Sequence, residues 1–469
     1  MSKKKLILII PTVTVIESER IRFPKAIYNP SPTLPSVASV VPNDYEIKAY
    51  EEEVDNIDFD EDCDIVGISC MTCQASRAFQ IAEEFRKRGK TVVFGGHHPS
   101  AMPEECLNYG DSVVIGEAEG SGWKELLDDF LQNKKLKTIY RNDQLVDMSK
   151  IPPIRRNLFK NTGWLVSFEP LLFIRGCPYT CDFCSIPLLY GQKIRHFPIQ
   201  RVINDIHASK GKMFFFYDDN ILCKPKLAKE LFRELIPLKI KWGAQASLKY
   251  LQDKEMLDLI VKSGCIFLLI GLESVSKSNL EELNKNYDDI QKISDTIKRV
   301  QDRGILVHTT MIFGFDHDTQ AVFDETLDFL LKTEVSSALF NILTPYPGTK
   351  TFKLYQEQDR LLTTFWRYYD THTVVFKPKN MTPTQLVDGY LHARGGFYST
   401  SSIFKRLFAH KGSWNHPLIY MALNINSQFV TKRHRIDVPK KTNAVLNGRN
   451  PETCQYQDLK YEKTYSSLL

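Results

Sequence analysis

Short apolar runs alternate with amphipathic stretches over the first 145 residues of the chain. The apolar runs are "KLILII", "YEIKAY", "CDIVGIS", "TVVFGG" and "SVVIGE". Between several of them lie stretches with an apolar residue every three or four positions, such as "ASRAFQIAEEFRKRG" and "GWKELLDDFLQN". This alternation predicts parallel strands joined by helices. Residues 1–145 are therefore predicted to form an α/β domain with a doubly wound, Rossmann-like parallel sheet, whose ligands lie at the carboxyl ends of its strands.

The same alternation returns after a proline-bearing stretch, "MSKIPPIRRNLF", within a linker that we place at residues 146–169. From residue 170 to 375 the predicted strands are "LLFIRG", "MFFFYDDN", "IKWGAQAS", "CIFLLIGLES", "ILVHTTMIFGF" and "SSALFNILTPYPG". Six strand–helix units are two fewer than a closed eightfold barrel needs, so this region is predicted to form a partial β/α barrel. Residues 376–469 carry mixed helical patterns and are predicted to form a mainly helical extension.

Composition and charge narrow the class of protein only a little. The chain has 469 residues, of which 43% are hydrophobic and 25% are charged, as in an ordinary globular protein. Its net charge of +5 is mild for this length, and we expect no nucleic-acid partner. No apolar run approaches the roughly 20 residues that cross a bilayer. Pro11 and the charges at residues 17–20 interrupt the apolar start, which predicts a first buried strand. Ten cysteines without a regular framework predict a protein of the reducing cytoplasm.

Three of the ten cysteines lie together in "FIRGCPYTCDFCSIP", residues 173–187. Cys177, Cys181 and Cys184 follow the first predicted barrel strand, where active sites of such folds lie. Three thiolates leave one iron of a tetranuclear iron–sulfur cluster without a cysteine. A closed zinc site is the alternative, with His196 or Cys223 as a fourth ligand. The position of the loop and the lack of paired CxxC motifs favour the iron–sulfur cluster.

This CxxxCxxC loop, with Phe183 before its last cysteine, resembles that of the radical S-adenosylmethionine (SAM) enzymes. In that family the three cysteines hold a four-iron four-sulfur cluster, and the open iron binds the amino and carboxylate groups of SAM. The reduced cluster cleaves SAM to a 5′-deoxyadenosyl radical. The resemblance implies that Cys177, Cys181 and Cys184 are the cluster ligands and carry catalysis. It also implies an electron donor such as flavodoxin or ferredoxin.

The resemblance continues at the ends of the next four predicted strands, where the family contacts SAM with polar groups and glycine. Together with the aromatic side chain in the cysteine loop, the implied SAM-binding residues are Phe183, Asp218, Asp219, Asn220, Gln245, Ser247, Glu273, Ser274 and Gly314. Taken singly, such a strand-end residue is more often structural. Their order behind the cysteine loop is what supports a role in binding.

The first domain resembles the cobalamin-binding domain of a radical SAM subfamily that includes hopanoid methylases and the anaerobic porphyrin cyclase. The likeness lies in the turns "GISCMT", "GGHHPS" and "GEAE", and it implies cobalamin contacts from Ser69, Thr72, Gly95, Gly96 and Gly116. The cobalt-ligand motif DxHxxG does not occur in residues 1–145, and its nearest imitation, "DIHASKG", is predicted on a barrel helix. We expect His97 and His98 to be solvent-facing turn residues and Cys70 and Cys73 to be incidental small residues.

These features predict an enzyme that methylates an unactivated carbon of a lipid or natural product. One SAM would supply the radical, and a second SAM would remethylate cobalamin. Oxidative cyclisation or rearrangement with the same cofactors is an alternative, and a scaffold with a structural metal site is another. The stretch "FKRLFAHKGSWNHPLIYMAL" carries basic and aromatic residues. It predicts either peripheral contact with a membrane or lipid substrate, or a solvated helix that covers the barrel mouth.

Overall fold

The computed structural model describes residues 3–13, 27–28, 30–142, 144–159, 166–283 and 290–449. The charged positions 17–20, part of the predicted linker and residues 450–469 of the predicted extension lie outside these ranges. Two six-stranded parallel sheets dominate the described chain, and a group of helices follows the second sheet. The predicted α/β architecture is therefore confirmed.

The first sheet has helices on both faces. Its strands are β1 (Lys4–Ile10), β2 (Tyr45–Glu51), β3 (Ile65–Ser69), β4 (Thr91–Gly95), β5 (Ser112–Ile115) and β6 (Ile139–Arg141). Its helices are α1 (Thr33–Ser39), α2 (Ala75–Lys87), α3 (His97–Ala101), α4 (Pro103–Leu107) and α5 (Ser121–Leu131). The strand order β2-β1-β3-β4-β5-β6 reverses direction beside β1. In doubly wound sheets this switch point is where ligands bind.

The second sheet keeps the order of the chain. Its strands are β7 (Glu169–Leu171), β8 (Met213–Phe216), β9 (Lys241–Ala246), β10 (Cys265–Glu273), β11 (Leu306–Phe313) and β12 (Ser337–Ile342). Its helices are α6 (Ile186–Tyr190), α7 (Ile199–Ala208), α8 (Pro225–Leu235), α9 (Lys254–Lys262), α10 (Lys277–Glu282), α11 (Ile290–Asp302), α12 (Ala321–Lys332) and α13 (Lys350–Glu357). No pairing of β7 with β12 occurs among the described residues, as expected of a partial barrel. The "DIHASKG" stretch begins on α7, as predicted.

The first barrel strand is shorter than predicted. It leaves the sheet after Leu171, and Ile174–Arg175 instead pairs with Arg195–His196 in an antiparallel ribbon. The reason is a side chain, because the Phe173 N–H donates to Asp218 Oδ1 at 2.8 Å instead of to a neighbouring strand. A second short ribbon pairs Ile27–Tyr28 with Val166–Ser167.

Burial alternates along the barrel strands. In β10, the side chains of Leu268, Ile270 and Leu272 are buried, whereas those of Leu269 and Glu273 are half-buried. The buried set packs in the core with the surrounding helices. The half-buried set therefore lines the inner face, which is apolar along the strand and polar at its carboxyl end.

The remaining helices are α14 (Pro383–Phe397), α15 (Thr400–Leu407), α16 (Lys411–Asn415) and α17 (Pro417–Leu446). Helix α14 packs on α12, β12 and α17, so it joins the extension to the last barrel strand. Short 3₁₀ helices occupy Thr72–Gln74, Met148–Lys150, Arg156–Leu158, Ile236–Leu238, Leu248–Gln252 and Trp366–Tyr368. Within the described ranges, no helix combines the length and apolar character that crossing a bilayer requires.

Candidate active site

The cysteine loop runs from Gly176 to the start of α6. The side chains of Cys177, Cys181 and Cys184 are half-buried. Gly176 has φ +88°, and a Cβ there would lie 2.9 Å from the Lys193 carbonyl oxygen. Only glycine fits this turn, which starts the cysteine loop directly after the Ile174–Arg175 segment of the ribbon.

The three thiols lie close enough to influence one another. Burial raises the pKa of the Cys184 thiol to about 12, and the neighbouring charges of Cys181 and Cys177 act in the same direction. In the described parts of the chain, no three His, Cys, Asp or Glu side chains are arranged to hold a single metal ion. A multinuclear cluster binds each thiolate to a different iron, so it accepts thiols set further apart than zinc does. The loop therefore fits an iron–sulfur cluster better than a closed zinc site.

The polar residues after β8 hold the cysteine loop in place. Asp219 Oδ2 accepts the Gly176 N–H at 3.0 Å, just as Asp218 accepts that of Phe173. Asn220 Oδ1 accepts the Ser247 N–H at 3.1 Å and so joins the ends of β8 and β9. Asp218 and Asp219, which were predicted to bind SAM, therefore also hold the cysteine loop in position.

Asp218 has one oxygen left over. Its Oδ2 is buried and has no hydrogen-bond partner among the described residues. Burial raises the pKa of this carboxyl to about 8. A buried oxygen without a partner is rare and costs about 1–3 kcal/mol. A cationic group such as the ammonium of SAM fits this orphaned oxygen.

Two further side chains join the loop to the barrel. The Tyr179 hydroxyl, inside the CxxxCxxC motif, lies 3.0 Å from Ser247 Oγ at the end of β9. Gln245 is half-buried two residues earlier. The rings of Phe183 and Phe315 lie 6.0 Å apart between centroids. Sequence reasoning missed Tyr179, although its place between two cysteines was a usable signal.

Glu273 ends β10 in a strained conformation. Its φ is +70°, the pairing register with β11 shifts beside it, and its carboxylate accepts the Thr310 hydroxyl at 3.0 Å. A non-glycine residue in the left-handed region costs about 1–3 kcal/mol, and such strain concentrates at functional sites. The strained backbone of Glu273 therefore supports the prediction that this residue binds SAM.

Ser274 and Gly314 have local structural tasks. Ser274 Oγ accepts the Ser276 N–H and the Asn279 side-chain amide, both at 3.1 Å, and is buried in that contact. Gly314 has φ +103°, and a Cβ there would lie 2.9 Å from the Phe376 ring. Contacts within the chain are therefore sufficient to explain why Ser274 is a serine and Gly314 is a glycine.

A cleft opens at the switch point of the first sheet. It is lined by side chains and backbone of β1, β3, β4, α1 and α5, and it includes Ser69, Gly95, Gly96 and Gly116. Thr72 does not line it; this residue is buried in the 3₁₀ turn that packs against Trp366–Tyr368. The structure therefore brings four of the five residues implied for cobalamin to one cleft.

The glycines of the cleft serve different ends. Gly96 has φ +98°, and a Cβ there would lie 3.0 Å from the Cys70 carbonyl oxygen, so the backbone itself requires glycine. At Gly95 the nearest atom to a Cβ would be the Val114 carbonyl oxygen at 3.9 Å. A side chain at Gly95 would project into the cleft without any clash inside the protein. Its absence leaves an open cradle beside Gly95, where the backbone itself can be approached closely.

The expectation of solvent-facing histidines in this turn is wrong for His98. Its side chain is fully buried and its Nε2 lies 3.2 Å from Glu105 Oε2. His97 is half-buried, and its ring meets the Tyr190 ring edge-on at 6.4 Å. Both residues begin α3, which packs on β5 and on α6, so the turn is covered. Cys70 and Cys73 are free thiols.

Buried ion pairs fasten the cleft to the cysteine loop. Arg175 Nη1 donates to Glu117 Oε1 at 2.9 Å, and Arg195 Nη1 donates to Glu117 Oε2 at 2.7 Å. Arg175 also pairs with Glu119, and its guanidinium lies over the Tyr190 ring at 5.2 Å. The two glutamates belong to the turn after β5, whereas Arg175 and Arg195 are paired positions in the ribbon that flanks the cysteine loop on both sides. We call the cysteine loop and the cleft of the first sheet the two half-sites. The ion pairs of Arg175 and Arg195 with Glu117 and Glu119 form a fixed contact between them.

A second polar cluster lies beside the end of β12, where the Thr371 carbonyl accepts the Ile342 N–H. The Tyr390 hydroxyl stands between His372 Nδ1 at 3.2 Å and His434 Nδ1 at 2.8 Å. Burial lowers the pKa of His372 to about 4 and that of His434 to about 2. One hydroxyl donates one proton, so the two neutral rings must take opposite tautomers. Sequence reasoning missed this cluster because its members lie on separate elements.

Two family models match the chain. Residues 171–330 match the model described as "Radical SAM superfamily", and residues 38–121 match the model described as "B12 binding domain". The first range contains the three cysteines, and the second contains all the glycines of the cleft that were implied for cobalamin.

Relatives with names cover most of the chain. A bacteriochlorophyllide d C-12(1)-methyltransferase of Chlorobaculum tepidum is 31% identical over 75% of this chain and 78% of the relative. The C-8(2)-methyltransferase of the same organism is 32% identical over 74% and 80%. The anaerobic magnesium-protoporphyrin IX monomethyl ester cyclase of Cereibacter sphaeroides is 25% identical over 73% and 61%. Hopanoid methylases also match, which confirms the resemblance drawn from the motifs.

Solved structures share the fold. The cobalamin-dependent S-adenosylmethionine radical enzyme OxsB, with aqua-cobalamin and SAM bound, aligns with a TM-score of 0.65 at 14% identity, over 96% of this chain and 82% of that one. TsrM of Kitasatospora setae, with cobalamin and a [4Fe-4S] cluster bound, aligns with a TM-score of 0.60 at 17% identity, over 76% and 78%. These likenesses extend over both sheets.

Proposed function

Because the chain belongs to the radical SAM enzymes that carry a B12-binding domain, we propose that it transfers a methyl group from SAM to an unactivated carbon of a small organic substrate. Its cofactors are a four-iron four-sulfur cluster, SAM and cobalamin. When bound, these cofactors supply a radical that abstracts a hydrogen atom from a substrate carbon. They also supply the methyl group that this carbon then receives. The observation that carries the proposal is the fixed contact between the cysteine loop and the glycine cleft.

On the cluster side, we assign the cluster to the thiols of Cys177, Cys181 and Cys184, which occupy one loop at the barrel mouth. The orphaned oxygen of Asp218 is assigned to the amino group of SAM. The other proposed SAM contacts are Phe183 in the cysteine loop and, at or just after the ends of β8 to β11, Asp219, Asn220, Gln245, Ser247, Glu273, Ser274 and Gly314. The inner face of the barrel is apolar along β10, and an apolar wall of this kind would help to protect a radical from side reactions with water.

On the cobalamin side, the cradle at Gly95 admits the macrocycle, and Ser69, Gly96 and Gly116 surround it in the same cleft. Thr72 lies outside this cleft, so we do not include it among the proposed cobalamin contacts. The buried pairs of Arg175 with Glu117 and Glu119 orient the two halves toward each other. Orientation of this kind is a large part of what a protein adds to cofactor chemistry.

For the substrate, we propose a lipid or natural product, with a tetrapyrrole as the first to test. The two relatives that are at least 30% identical over most of the chain are named for methylation of bacteriochlorophyllide d. The inner face of the barrel offers apolar surface at its last strand, where Leu339 is 38% exposed. Reduction of the cluster requires a one-electron donor, for which we propose flavodoxin or ferredoxin. A reducing compartment keeps the thiols available, so we propose the cytoplasm.

The experiment uses anaerobically reconstituted full-length protein with cobalamin, a reductant and SAM labelled in its methyl group. Chlorophyllide-type tetrapyrroles and hopanoids are offered as substrates, and products are identified by mass. We expect the label in the product, with 5′-deoxyadenosine and S-adenosylhomocysteine formed beside it. Formation of 5′-deoxyadenosine with an unlabelled, altered product would reject methyl transfer.

That unlabelled outcome would establish the second candidate, oxidative cyclisation or rearrangement. The match to the magnesium-protoporphyrin cyclase favours it as the alternative, because that relative is 25% identical over 73% of this chain. The two reactions use the same loop and the same cleft, so only the fate of the methyl group separates them.

A further inference from the structure

The C-terminal helices expose an unusual amount of apolar surface. Of the thirteen large hydrophobic side chains that are exposed in the described chain, eight lie between residues 404 and 446. They are Phe404, Phe408, Trp414, Leu418, Ile425, Phe429, Ile436 and Leu446. Leu418 is 70% exposed, although such a side chain is normally placed in the core. A concentration of this kind marks an interaction surface.

The exposed residues of α17 form a stripe. Leu418, Ile425, Phe429 and Ile436 are separated by seven, four and seven positions, which places them on one side of a helix. The buried residues of α17 include Tyr420, Asn424, Thr431, Val438 and Thr442, and they lie on the opposite side. We call the exposed side the α17 stripe. It consists of those four apolar residues.

An aromatic pair adjoins the stripe along the chain. Phe408 follows α15 and Trp414 lies on α16, and their rings meet edge-on at 4.9 Å between centroids. Phe408 is 58% exposed and Trp414 is 55% exposed. Helices α15, α16 and α17 pack against one another, so the pair and the stripe belong to one helical group. Aromatic side chains of this kind are enriched where protein meets the interfacial layer of a membrane.

The same segment is strongly basic. Residues 398–449 contain nine Lys and Arg residues and a single acidic residue, Asp437. The whole chain has 61 basic and 56 acidic residues, so 52 basic and 55 acidic residues remain elsewhere. The mild net charge of the chain therefore hides a cationic segment attached to a slightly acidic body.

Between residues 405 and 440, five of these cations are exposed and have no ion-pair partner among the described residues. They are Lys405, Lys411, Lys432, Arg435 and Lys440. Arg433, by contrast, pairs with Asp437, and Lys441 pairs with Asp370. Lys432 extends over the Phe429 ring at 5.7 Å, with its ammonium beside the apolar stripe. Long cationic side chains beside an apolar helical face are typical of helices that lie in a membrane interface.

We propose that the α17 stripe and the Phe408–Trp414 pair dock on an anionic lipid surface, with the five unpaired cations against the headgroups. The apolar residues enter the boundary of the bilayer, and the cations gain the attraction of a negatively charged leaflet. A second copy of the chain is a poorer occupant. A two-fold contact through this surface would bring the same unpaired cations together. The proposal does not depend on the methyl-transfer reaction.

The surface lies close to the barrel. Helix α14 contacts both α17 and β12, the last barrel strand. Docking would therefore hold the barrel beside the lipid. A protein placed there reaches apolar substrates that partition into the bilayer, and peripheral binding leaves the rest of the chain in water.

The test is co-sedimentation of the full-length, reconstituted protein with vesicles of phosphatidylcholine alone or of phosphatidylcholine mixed with phosphatidylglycerol. We expect binding to the anionic vesicles at least roughly tenfold tighter than to the neutral ones, and weakened by salt. The double variant Leu418→Gln/Phe429→Gln should lose this binding by about tenfold or more. Its matched control is Met71→Gln/Ile236→Gln, two exposed apolar residues outside the extension, which should bind as the parent does.

The charge contribution is tested separately with Lys432→Gln/Arg435→Gln/Lys440→Gln, which should reduce the preference for anionic vesicles while leaving SAM cleavage unchanged. All these positions are exposed, so far-ultraviolet circular dichroism should match the parent. Equal binding of the parent to both vesicle types, or to neither, would overturn the proposal. So would a dimer in solution that Leu418→Gln/Phe429→Gln converts to monomer, because that result assigns the stripe to a second copy of the chain.

Discussion

The two half-sites are built by opposite means. The cysteine loop is held by polar side chains, because Asp218 and Asp219 bind the N–H groups of Phe173 and Gly176. The cleft of the first sheet depends on missing side chains, since a Cβ at Gly95 would meet nothing closer than 3.9 Å. We therefore expect the loop to lose its cluster when side-chain atoms are removed. We expect the cleft to lose cobalamin affinity when side-chain atoms are added.

The largest effect is expected from removing a cluster thiol. Cys177→Ala, Cys181→Ala or Cys184→Ala should abolish the brown colour of the reconstituted protein and lower SAM cleavage by about a thousandfold or more, because the cluster loses a ligand. The measurement is visible absorbance together with 5′-deoxyadenosine formation.

The matched control is Cys223→Ala. Cys223 is a buried free thiol whose nearest charged influences include Cys177, but it lies outside the loop. The variant should keep both cluster and cleavage. Loss of the cluster in Cys223→Ala would contradict the three-thiol assignment and would favour a closed site with four ligands instead.

The second prediction breaks the contact between the half-sites. Arg175→Met should lower the free energy of unfolding by about 3–5 kcal/mol, because it leaves the buried Glu117 and Glu119 without that partner. Urea unfolding measures the loss. Methyl transfer should fall more than SAM cleavage does, since the cleft would lose its fixed position.

The exposed pair between Lys124 and Asp128 provides the comparison for Arg175→Met. Lys124→Met removes a salt bridge of the same type from the surface and should change unfolding by less than about 1 kcal/mol. Equal losses in the two variants would contradict a special role for the buried contact.

The third prediction fills the cleft. The series Gly95→Ala, Gly95→Val and Gly95→Leu should weaken cobalamin binding stepwise, by about tenfold or more at leucine, because each added group projects into the cradle. Absorbance titration with cobalamin gives the affinities. SAM cleavage in the same variants should stay near that of the parent, and a parallel loss of both would show that the effect is general misfolding.

The smallest effect concerns the polar cluster of His372, Tyr390 and His434 beside the end of β12. The pKa values of His372 and His434, about 4 and about 2, lie below the roughly 6.5 of an unfolded chain. The unfolded state therefore takes up protons first, so this stability is complete above about pH 6.5 and is lost as the pH falls toward 4. His434→Gln should reduce the stability difference between pH 7 and pH 5 by roughly 1–2 kcal/mol.

The control for His434→Gln is His392→Gln, because His392 is an exposed histidine that pairs with Asp324. Urea unfolding at the two pH values should give the control the same pH dependence as the parent. Identical behaviour of both variants would contradict the burial of His434 as the cause.

Much of this architecture follows from local sequence. Strands buried on both faces leave long apolar runs, so both parallel sheets were predictable, and the close spacing of three cysteines identified the loop. The break in the first barrel strand was not predictable, because it depends on Asp218, which lies 45 residues beyond Phe173. A serine at a strand end also looks the same whether it binds a ligand or, like Ser274, caps the next turn.

The contact between the half-sites is the clearest limit of sequence reasoning. Arg175 lies 58 residues from Glu117 and 56 from Glu119, in a different sheet, and no periodicity relates them. The same holds for the contacts of His372 and His434 with Tyr390. His434 reaches Tyr390 because α17 packs on α14, and His372 reaches it from the loop before α14. Pairings of this kind are set by how the elements pack together, and only the folded chain reveals them.

The central claim is that the cysteine loop and the glycine cleft form one active site. It is tested most directly by electron paramagnetic resonance of protein that holds both the reduced cluster and paramagnetic cobalt(II) cobalamin. The account predicts a spectrum broadened by magnetic interaction between the two centres, with the interaction altered in Arg175→Met. A spectrum equal to the sum of two isolated centres in the parent protein would contradict it.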